Sequence, residues 1–262
     1  MTIAKLTFAA NLQNVGLVPN ETRVLLTAFA ESGDWKAVRR QALEENLIGK
    51  RSTITTRHIL KVIARRYIRS GDGLPSAHLS ARFFARTGIP DRARIQVAFL
   101  YTVAEDALAA TLLQSIVIPK LPSDATTLHP NDVLQHLRTL EAEHPELARW
   151  RPYLRRRWAS AFLSLLRDGG FMSAGASWAL ARPSILPQAF GFVFGWLALS
   201  NGSPKAALQH PAIQLWAVDA TELRALLAEG QDRGWWRFAF RGELFDFHPG
   251  WRSNEELIDV LG

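Results

Sequence analysis

Four cationic residues recur at every fourth position of one helical pattern: Arg57, Lys61, Arg65 and Arg69. Because residues four apart lie on the same face of an α-helix, this spacing predicts a single cationic stripe. Like charges at this spacing repel each other by a few tenths of a kcal/mol per pair. An anionic ligand would offset that repulsion. The ligand chemistry that the stripe indicates is therefore that of phosphate groups on a polyanion.

The stripe belongs to the most basic segment of the chain. Residues 35–70 hold ten Lys and Arg residues against two acids, Glu44 and Glu45, so their net charge of +8 exceeds the +7 of all 262 residues. An ordinary solvated helix face mixes acids with bases, which makes nucleic-acid contact the preferred interpretation and a solvated Arg-rich face the alternative. The candidate contacts are Arg39, Arg40, Lys50, Arg51, Ser52, Thr55, Arg57, Lys61, Arg65 and Arg69, and a second, smaller basic patch comprises Arg155, Arg156 and Arg157.

Other patterns that could support chemistry are weaker. His129, Asp132 and His136 have spacings that place three metal-ligand types on one helical face, but surface histidines explain them as well, and no metal site or cofactor is predicted. Residues 170–175 (GFMSAG) miss the spacing of a nucleophile elbow by one position. The chain has no phosphate-binding loop and no dinucleotide-binding motif. The expectation is a protein without catalytic residues.

Hydrophobic periodicity and capping residues predict a mainly α protein. Predicted helices span residues 21–32, 35–47, 55–69, 78–87, 91–117, 130–142, 153–168, 186–199 and 219–233, and a β-hairpin is expected near residues 236–248. The second and third helices outline a helix-turn-helix, with a connection longer than the usual turn of roughly 3–4 residues.

The carboxyl-terminal part has the order of a winged helix, in which helices precede a hairpin. Glu222, Glu229 and Asp232 on the last predicted helix would repel phosphate, so a winged-helix shape is predicted there rather than DNA contact. Trp235 and Trp236 could stack on bases, although alternation favours a core position for Trp236.

Composition indicates a soluble globular protein, since 48% of residues are hydrophobic and 21% are charged. Pro, Ser and Thr are dense in residues 119–130, which predicts a linker between a helical domain at 1–118 and a second helical domain at 131–262. The absence of cysteine suits a reducing compartment. No signal peptide or membrane span is apparent, so the expected address is the cytoplasm, where DNA and RNA are the main acidic partners.

The chain from Glu21 to Ile68 resembles the BrxA family of bacteriophage-exclusion (BREX) defence systems. The resemblance rests above all on EENLIGKRS, followed by a helix that ends in RRY, and later on the segment HPAIQLW. It implies an all-α protein with helix-turn-helix elements that binds duplex DNA without sequence preference, beside a DNA methyltransferase and other defence proteins. The residues carried over are Lys50, Arg51, Ser52, Thr55, Arg57, Lys61 and Arg65. The length of the chain and its hairpin-like tail depart from the family pattern.

Three functions fit these observations. The first is a non-enzymatic, monomeric component that binds double-stranded DNA through phosphate contacts. The second is an RNA-binding protein of antitermination type, although the chain lacks the aromatic and glycine-loop motifs of common RNA-binding modules. The third is a scaffold whose basic stripe docks an acidic protein. A comparison of duplex DNA, single strands and RNA as ligands separates them.

Overall fold

Helices dominate the fold of the chain, which a computed structural model describes at residues 8–69, 73–121, 126–173, 178–241 and 244–262. The α-helices are α1 Pro19–Ser32, α2 Trp35–Glu44, α3 Thr53–Ile63, α4 Ala77–Ala85, α5 Asp91–Glu105, α6 Ala107–Leu112, α7 Pro130–Thr139, α8 Pro145–Ala148, α9 Pro152–Asp168, α10 Pro187–Asn201, α11 Pro204–Leu208, α12 Pro211–Gln214, α13 Ala220–Asp232 and α14 Asn254–Leu261. Two strands, β1 Trp236–Arg241 and β2 Leu244–Pro249, form an antiparallel hairpin. The predicted mainly α fold with a late hairpin is confirmed.

Capping residues begin several helices as the sequence predicts. The Asp34 carboxylate accepts a hydrogen bond from the backbone N–H of Lys36 at 2.8 Å, at the start of α2. Asp219 accepts from the backbone N–H groups of Thr221 and Glu222, both at 2.9 Å, at the start of α13. These bonds satisfy amide groups that have no partner within the helix, which explains why the predicted starts of these two helices agree with the structure to within one residue.

The boundaries of α2 and α3 differ from the prediction. Helix α2 ends at Glu44 rather than residue 47, because Asn46 (φ 53°) and Gly49 (φ 64°) adopt left-handed backbone conformations that no helix continues through. Helix α3 begins at Thr53 and is prolonged by a π-helical turn over Ala64–Ile68. The connection between α2 and α3 thus spans residues 45–52, longer than a standard helix-turn-helix turn. The helix-turn-helix assignment stays a prediction.

The predicted helix at 91–117 is broken at Asp106. Its carboxylate accepts a hydrogen bond from the backbone N–H of Ala109 at 3.1 Å, so Asp106 caps α6 instead of continuing α5. A buried aspartate that bonds to the backbone ahead of it competes with the helical ladder. A π-helical turn at Leu113–Val117 and a 3₁₀ turn at Ile118–Lys120 follow α6.

The chain forms two compact units, each assembled from separate segments. Unit A comprises Met1–Leu17 with Thr102–Ser184, and unit B comprises Val18–Tyr101 with Ile185–Gly262. These units do not coincide with the predicted domains 1–118 and 131–262. Both sides of the predicted linker at 119–130 belong to unit A, and residues 122–125 of that linker lie outside the described part.

Each unit has its own apolar core. In unit A, α7 packs against α9, and the rings of Trp158 and Phe162 stack with their centroids 5.4 Å apart. In unit B, α1 packs against α4 and α10 against α14, while Phe83 stacks on Phe192 at 4.3 Å. Stacked and edge-to-face aromatic pairs of this kind stabilise a core beyond the area that they bury.

The hairpin packs on the core of unit B through Trp236. Its indole N–H donates a hydrogen bond to the carbonyl of Leu227 at 2.8 Å. Its ring also lies against Gly230 of α13, where the Cβ atom of any other residue would come within 1.9 Å of a ring carbon of Trp236. Trp235 is buried as well, with 4% exposure, and the core interpretation of Trp236 is confirmed. Residues 242 and 243, between the two strands of the predicted hairpin, lie outside the described residues.

The prediction missed α14, which follows the hairpin. Ser253 accepts a hydrogen bond from the backbone N–H of Glu256 at 3.3 Å, and Leu257, Ile258 and Leu261 are buried. The Ser-x-x-Glu spacing is a helix-start signature that could have revealed this helix. Among the described residues, no single helix is long and apolar enough to cross a membrane; α5 and the segment Ala107–Lys120 pass that test only when they are taken together.

Candidate nucleic-acid interface

Helix α3 has one buried and one solvent-facing side. Ile59, Leu60 and Ile63 are at most 2% exposed, whereas Arg57 and Lys61 are exposed. The periodicity of the sequence produces this division, because apolar residues three and four positions apart form the stripe that packs on the rest of unit B. The two cations therefore project from a helix that the core holds in place.

The exposed side of α3 carries positive charge that no acidic residue in the described part of the chain neutralises. Neither α3 nor the π-helical turn after it contains Asp or Glu. Within the described part of the chain, the side chains of Arg57 and Lys61 make no ion pair or hydrogen bond. An exposed ion pair stabilises a protein by only about 0–1 kcal/mol, so the stability of the fold does not depend on whether these cations are paired. The face can bind an anionic ligand without first breaking an ion pair within the protein.

The first turn of α3 is open to solvent. Ser52, Thr53 and Thr55 are exposed, and the Ser52 hydroxyl does not cap the helix. Ile54 is 64% exposed, an unusual position for a large aliphatic side chain. Uncapped amide groups at the start of a helix attract anions, which adds to the charge of Arg51 and Arg57 on either side.

Not every predicted contact is equally available. The Lys50 ammonium is ion-paired with Glu21 of α1, whose side chain is only 15% exposed. Arg65 is half-buried, and the neighbouring Arg66 is only 3% exposed. Burial raises the pKa of Tyr67 well above its ordinary value, although the positive charge of the neighbouring Arg66 acts to lower that pKa. The π-helical turn thus joins the basic stripe to a buried polar cluster.

The remaining predicted contacts of this region lie on the surface of unit B. Arg39 and Arg40 are exposed on α2, which packs against α3, and Arg69 is exposed after the π-helical turn. The structure therefore places the main predicted site on two neighbouring helices and the residues that flank them. We call the exposed side chains Arg51, Arg57 and Lys61, with the open first turn of α3, the α3 surface.

The second predicted patch divides into two kinds of arginine. Arg155 is ion-paired with Glu141 and donates to the carbonyls of Trp150 at 3.1 Å and Leu147 at 2.8 Å. It therefore ties α9 to the segment before it. Arg156 and Arg157 are exposed. All three belong to unit A, whereas the α3 surface belongs to unit B.

Sequence reasoning missed three exposed residues beside this patch. Arg149 and Arg151 are exposed just before α9, and Tyr153 in its first turn is 65% exposed. The run ARWRPYLRRR holds them, and its five arginines without an acid were the available signal.

The residues considered for metal binding have other roles. The Asp132 carboxylate accepts from the backbone N–H of His129 at 2.8 Å and so caps α7, while the His129 ring lies 5.9 Å from that of Trp178. His136 contacts the Ser115 hydroxyl at 3.0 Å. Partial burial, and then Lys120, lower the pKa of His136. In the described ranges, no group of three or more His, Asp or Glu residues could hold a metal ion.

The Ser115–His136 contact has the shape of a nucleophile and its base, which requires a third group to orient the histidine. Neither residue has a carboxylate partner within the described part of the chain. His136, but not Ser115, lines a small open cavity of about 230 Å³ with Lys120, Asp132, Gln135 and Thr139. This arrangement lacks the orienting group of a catalytic triad.

Comparison with known proteins agrees with the fold. A crystal structure of an uncharacterized protein from Magnetospirillum magneticum is similar, with a TM-score of 0.59 and 15% sequence identity over 79% of this chain and 98% of that one. At this identity the similarity concerns the fold alone. No curated protein matches the chain. A sequence model of the BrxA family matches residues 7–193, which cover α1 to α9 and the first part of α10. The chain therefore belongs to the BrxA family, the one that its basic segment resembles.

Proposed function

We propose that this protein is a non-enzymatic, largely sequence-independent double-stranded DNA-binding component of a bacterial BREX phage-defence system. Membership of the BrxA family supports the association with BREX. On this proposal the protein works in the cytoplasm beside other defence proteins, including a DNA methyltransferase. The DNA contacts are made by the α3 surface, with Arg39, Arg40 and Arg69 around it.

A single observation carries the proposal. Arg57 and Lys61 project from one side of a helix without acids, and they have no ion-pair partner among the described residues, while the opposite side of the helix is fixed in the core. A cationic face on a helix that the core holds in place can neutralise several phosphates of a duplex. An α-helix also fits the major groove of B-DNA, which is about 12 Å wide.

Phosphate contacts explain why binding would not depend on sequence. Arginine and lysine that neutralise phosphates release counterions whatever the bases are, whereas base readout needs side chains placed at the base edges. Ser52 and Thr55 are short hydroxyl side chains at the start of α3 and suit phosphate oxygens. The long connection at residues 45–52 departs from the helix-turn-helix geometry that places a recognition helix.

Fluorescence anisotropy with labelled ligands of equal length tests the proposal. We expect two duplexes of unrelated sequence to bind with similar affinity. Log affinity should fall with log salt at a slope of about −4 to −5 if five cations, Lys50, Arg51, Arg57, Lys61 and Arg65, each neutralise a phosphate. A slope near zero would favour docking of an acidic protein instead. Preference for folded RNA over duplex DNA would favour the antitermination-type alternative.

The non-enzymatic part of the proposal has its own test. Incubation of the pure protein with DNA, Mg²⁺ and ATP should leave both DNA and nucleotide intact. Metal-dependent cleavage that disappears in His136→Ala would instead identify a catalytic centre at the cavity of unit A.

A further inference from the structure

The outer side of α9 in unit A forms a second cationic surface. Tyr153, Arg156, Arg157, Ser160 and Ser164 are all exposed, and their spacing of three, four, seven and eleven residues places them along one side of the helix. Trp158, Phe162 and Leu166 on the other side are buried. This line of side chains, which we call the α9 surface, is therefore presented by a helix fixed in the core of unit A.

Among the described residues, Arg156 and Arg157 of the α9 surface have no ion-pair partner. Helix α9 contains no acid before Asp168 at its far end. Glu141, which lies nearby in the same unit, is ion-paired with the inward-turned Arg155. Arg149 and Arg151 add further exposed charge just before the helix. Arginines and hydroxyls without carboxylates are the side chains that contact nucleic-acid backbones.

Tyr153 gives this surface a property that the α3 surface lacks. At 65% exposure its ring is not part of the core, and it stands in the first turn of α9, three and four residues before Arg156 and Arg157. An exposed aromatic ring beside backbone-binding cations is the arrangement by which proteins hold unpaired bases, because every base has a face that can stack. Bases within a duplex are already stacked and do not offer that face.

We propose that the α9 surface binds single-stranded nucleic acid, with Tyr153 stacked on an unpaired base and Arg156 and Arg157 on the adjacent phosphates. The ligand chemistry is an unpaired base on a phosphodiester backbone, which single-stranded DNA and RNA share. The inference does not rest on the proposed duplex binding, because it concerns other residues in the other unit.

The test uses the full-length protein and two probes, a labelled dT20 strand and a labelled rU20 strand, with a 20-base-pair duplex for comparison. Tyr153→Ala should weaken binding of the strands about tenfold, within the range for losing one base–aromatic stack. Tyr153→Phe, which keeps the ring, should bind as the parent does. The double variant Arg156→Glu with Arg157→Glu should weaken binding of both strands at least as much as Tyr153→Ala does. Unequal losses for dT20 and rU20 would tell which strand the surface prefers.

The duplex controls separate this inference from the proposed function. Arg57→Glu with Lys61→Glu should weaken duplex binding and leave the Tyr153-dependent part of strand binding in place. Photocrosslinking of a bromouracil-containing strand to the parent protein should label Tyr153 or its neighbours, which requires no variant. Strand binding that is absent in the parent, or equal in Tyr153→Ala and the parent, would overturn the inference, as would a crosslink confined to unit B.

Discussion

Helices α3 and α9 begin with the same arrangement in two different units. Each exposes a large side chain at its second residue, Ile54 at 64% and Tyr153 at 65%, and an arginine three residues later. Each has further cations beside it and no acid in its first three turns, and the exposed Asp168 lies only at the far end of α9. The difference lies in the leading side chain, which is aliphatic on α3 and aromatic on α9.

This difference separates two contributions to nucleic-acid binding. Phosphate neutralisation depends on the cations and should be similar for both helices. Stacking depends on a π-face, which tyrosine has and isoleucine lacks. An exposed aliphatic side chain can instead contact the methyl group of thymine or the sugars of a groove. We therefore propose that similar charge on the two helices serves different ligands, according to one residue in the first turn.

Reversal of charge on α3 should have the largest effect. Arg57→Glu with Lys61→Glu is expected to lower duplex affinity at least tenfold, about 1.4 kcal/mol, through lost counterion release and new repulsion. Both side chains are exposed, so the free energy of unfolding should change by less than about 0.5 kcal/mol. Anisotropy with duplexes of unrelated sequence measures the loss, and thermal melting checks the fold.

A matched control reverses two other exposed arginines of unit B, Arg224 and Arg252, which changes the net charge equally. That variant should keep most of the duplex affinity if position rather than total charge matters. Equal losses in the two variants would contradict the assignment of the α3 surface. A loss confined to one DNA sequence would mean that Arg57 or Lys61 reads base edges.

An exchange of the two leading side chains should have the next largest effect. Tyr153→Ile should lower affinity for dT20 by roughly the worth of one stacked base, severalfold to tenfold, while Ile54→Tyr should raise it severalfold by adding a ring to the α3 surface. Duplex affinity should change little in either variant. Competition between labelled dT20 and unlabelled duplex measures both. No gain from Ile54→Tyr would show that the ring needs the particular surroundings of α9.

Arg155 and Arg156 provide a comparison within α9 itself. Arg155→Ala leaves Glu141 and two backbone carbonyls without their partner, so we expect it to destabilise the protein by about 1–3 kcal/mol. Arg156→Ala should leave stability unchanged and weaken strand binding modestly. Denaturant unfolding should show the loss of stability in Arg155→Ala alone, and titration with dT20 should show the weaker strand binding in Arg156→Ala. Similar melting of the two variants would contradict a structural role for Arg155.

The smallest effect on binding is expected at Lys50. Its ion pair with Glu21 already engages the ammonium group, so Lys50→Ala should reduce duplex affinity less than Arg57→Ala does. Glu21→Gln removes the competing carboxylate and should raise affinity slightly and steepen the salt dependence. Salt titrations of the three variants test this order. A loss at Lys50 as large as that at Arg57 would show that Lys50 leaves Glu21 when DNA binds.

Much of the fold follows from local patterns, and the exceptions have identifiable causes. Caps at Asp34 and Asp219 locate their helices because the bonds that they make involve neighbours in sequence. The break at Asp106 was missed because apolar periodicity continues through it, although aspartate suits a cap. Helix α14 was not predicted because its eight residues give only a short stretch of helical periodicity, although Ser253 and Glu256 carry the start signal.

The sequence alone determined which residues of α3 face solvent, because a helix with apolar residues every three to four positions has only one side that can be buried. The absence of Asp and Glu from α3 is likewise evident from the sequence. Only the tertiary structure decided that Lys50 meets Glu21, that Arg155 turns toward Glu141, and that Tyr153 stays outside the core. These outcomes depend on contacts between separate segments, for which periodicity and local charge carry no information. The physical reason is that a long side chain on a helix surface has several partners within reach, and only packing selects among them.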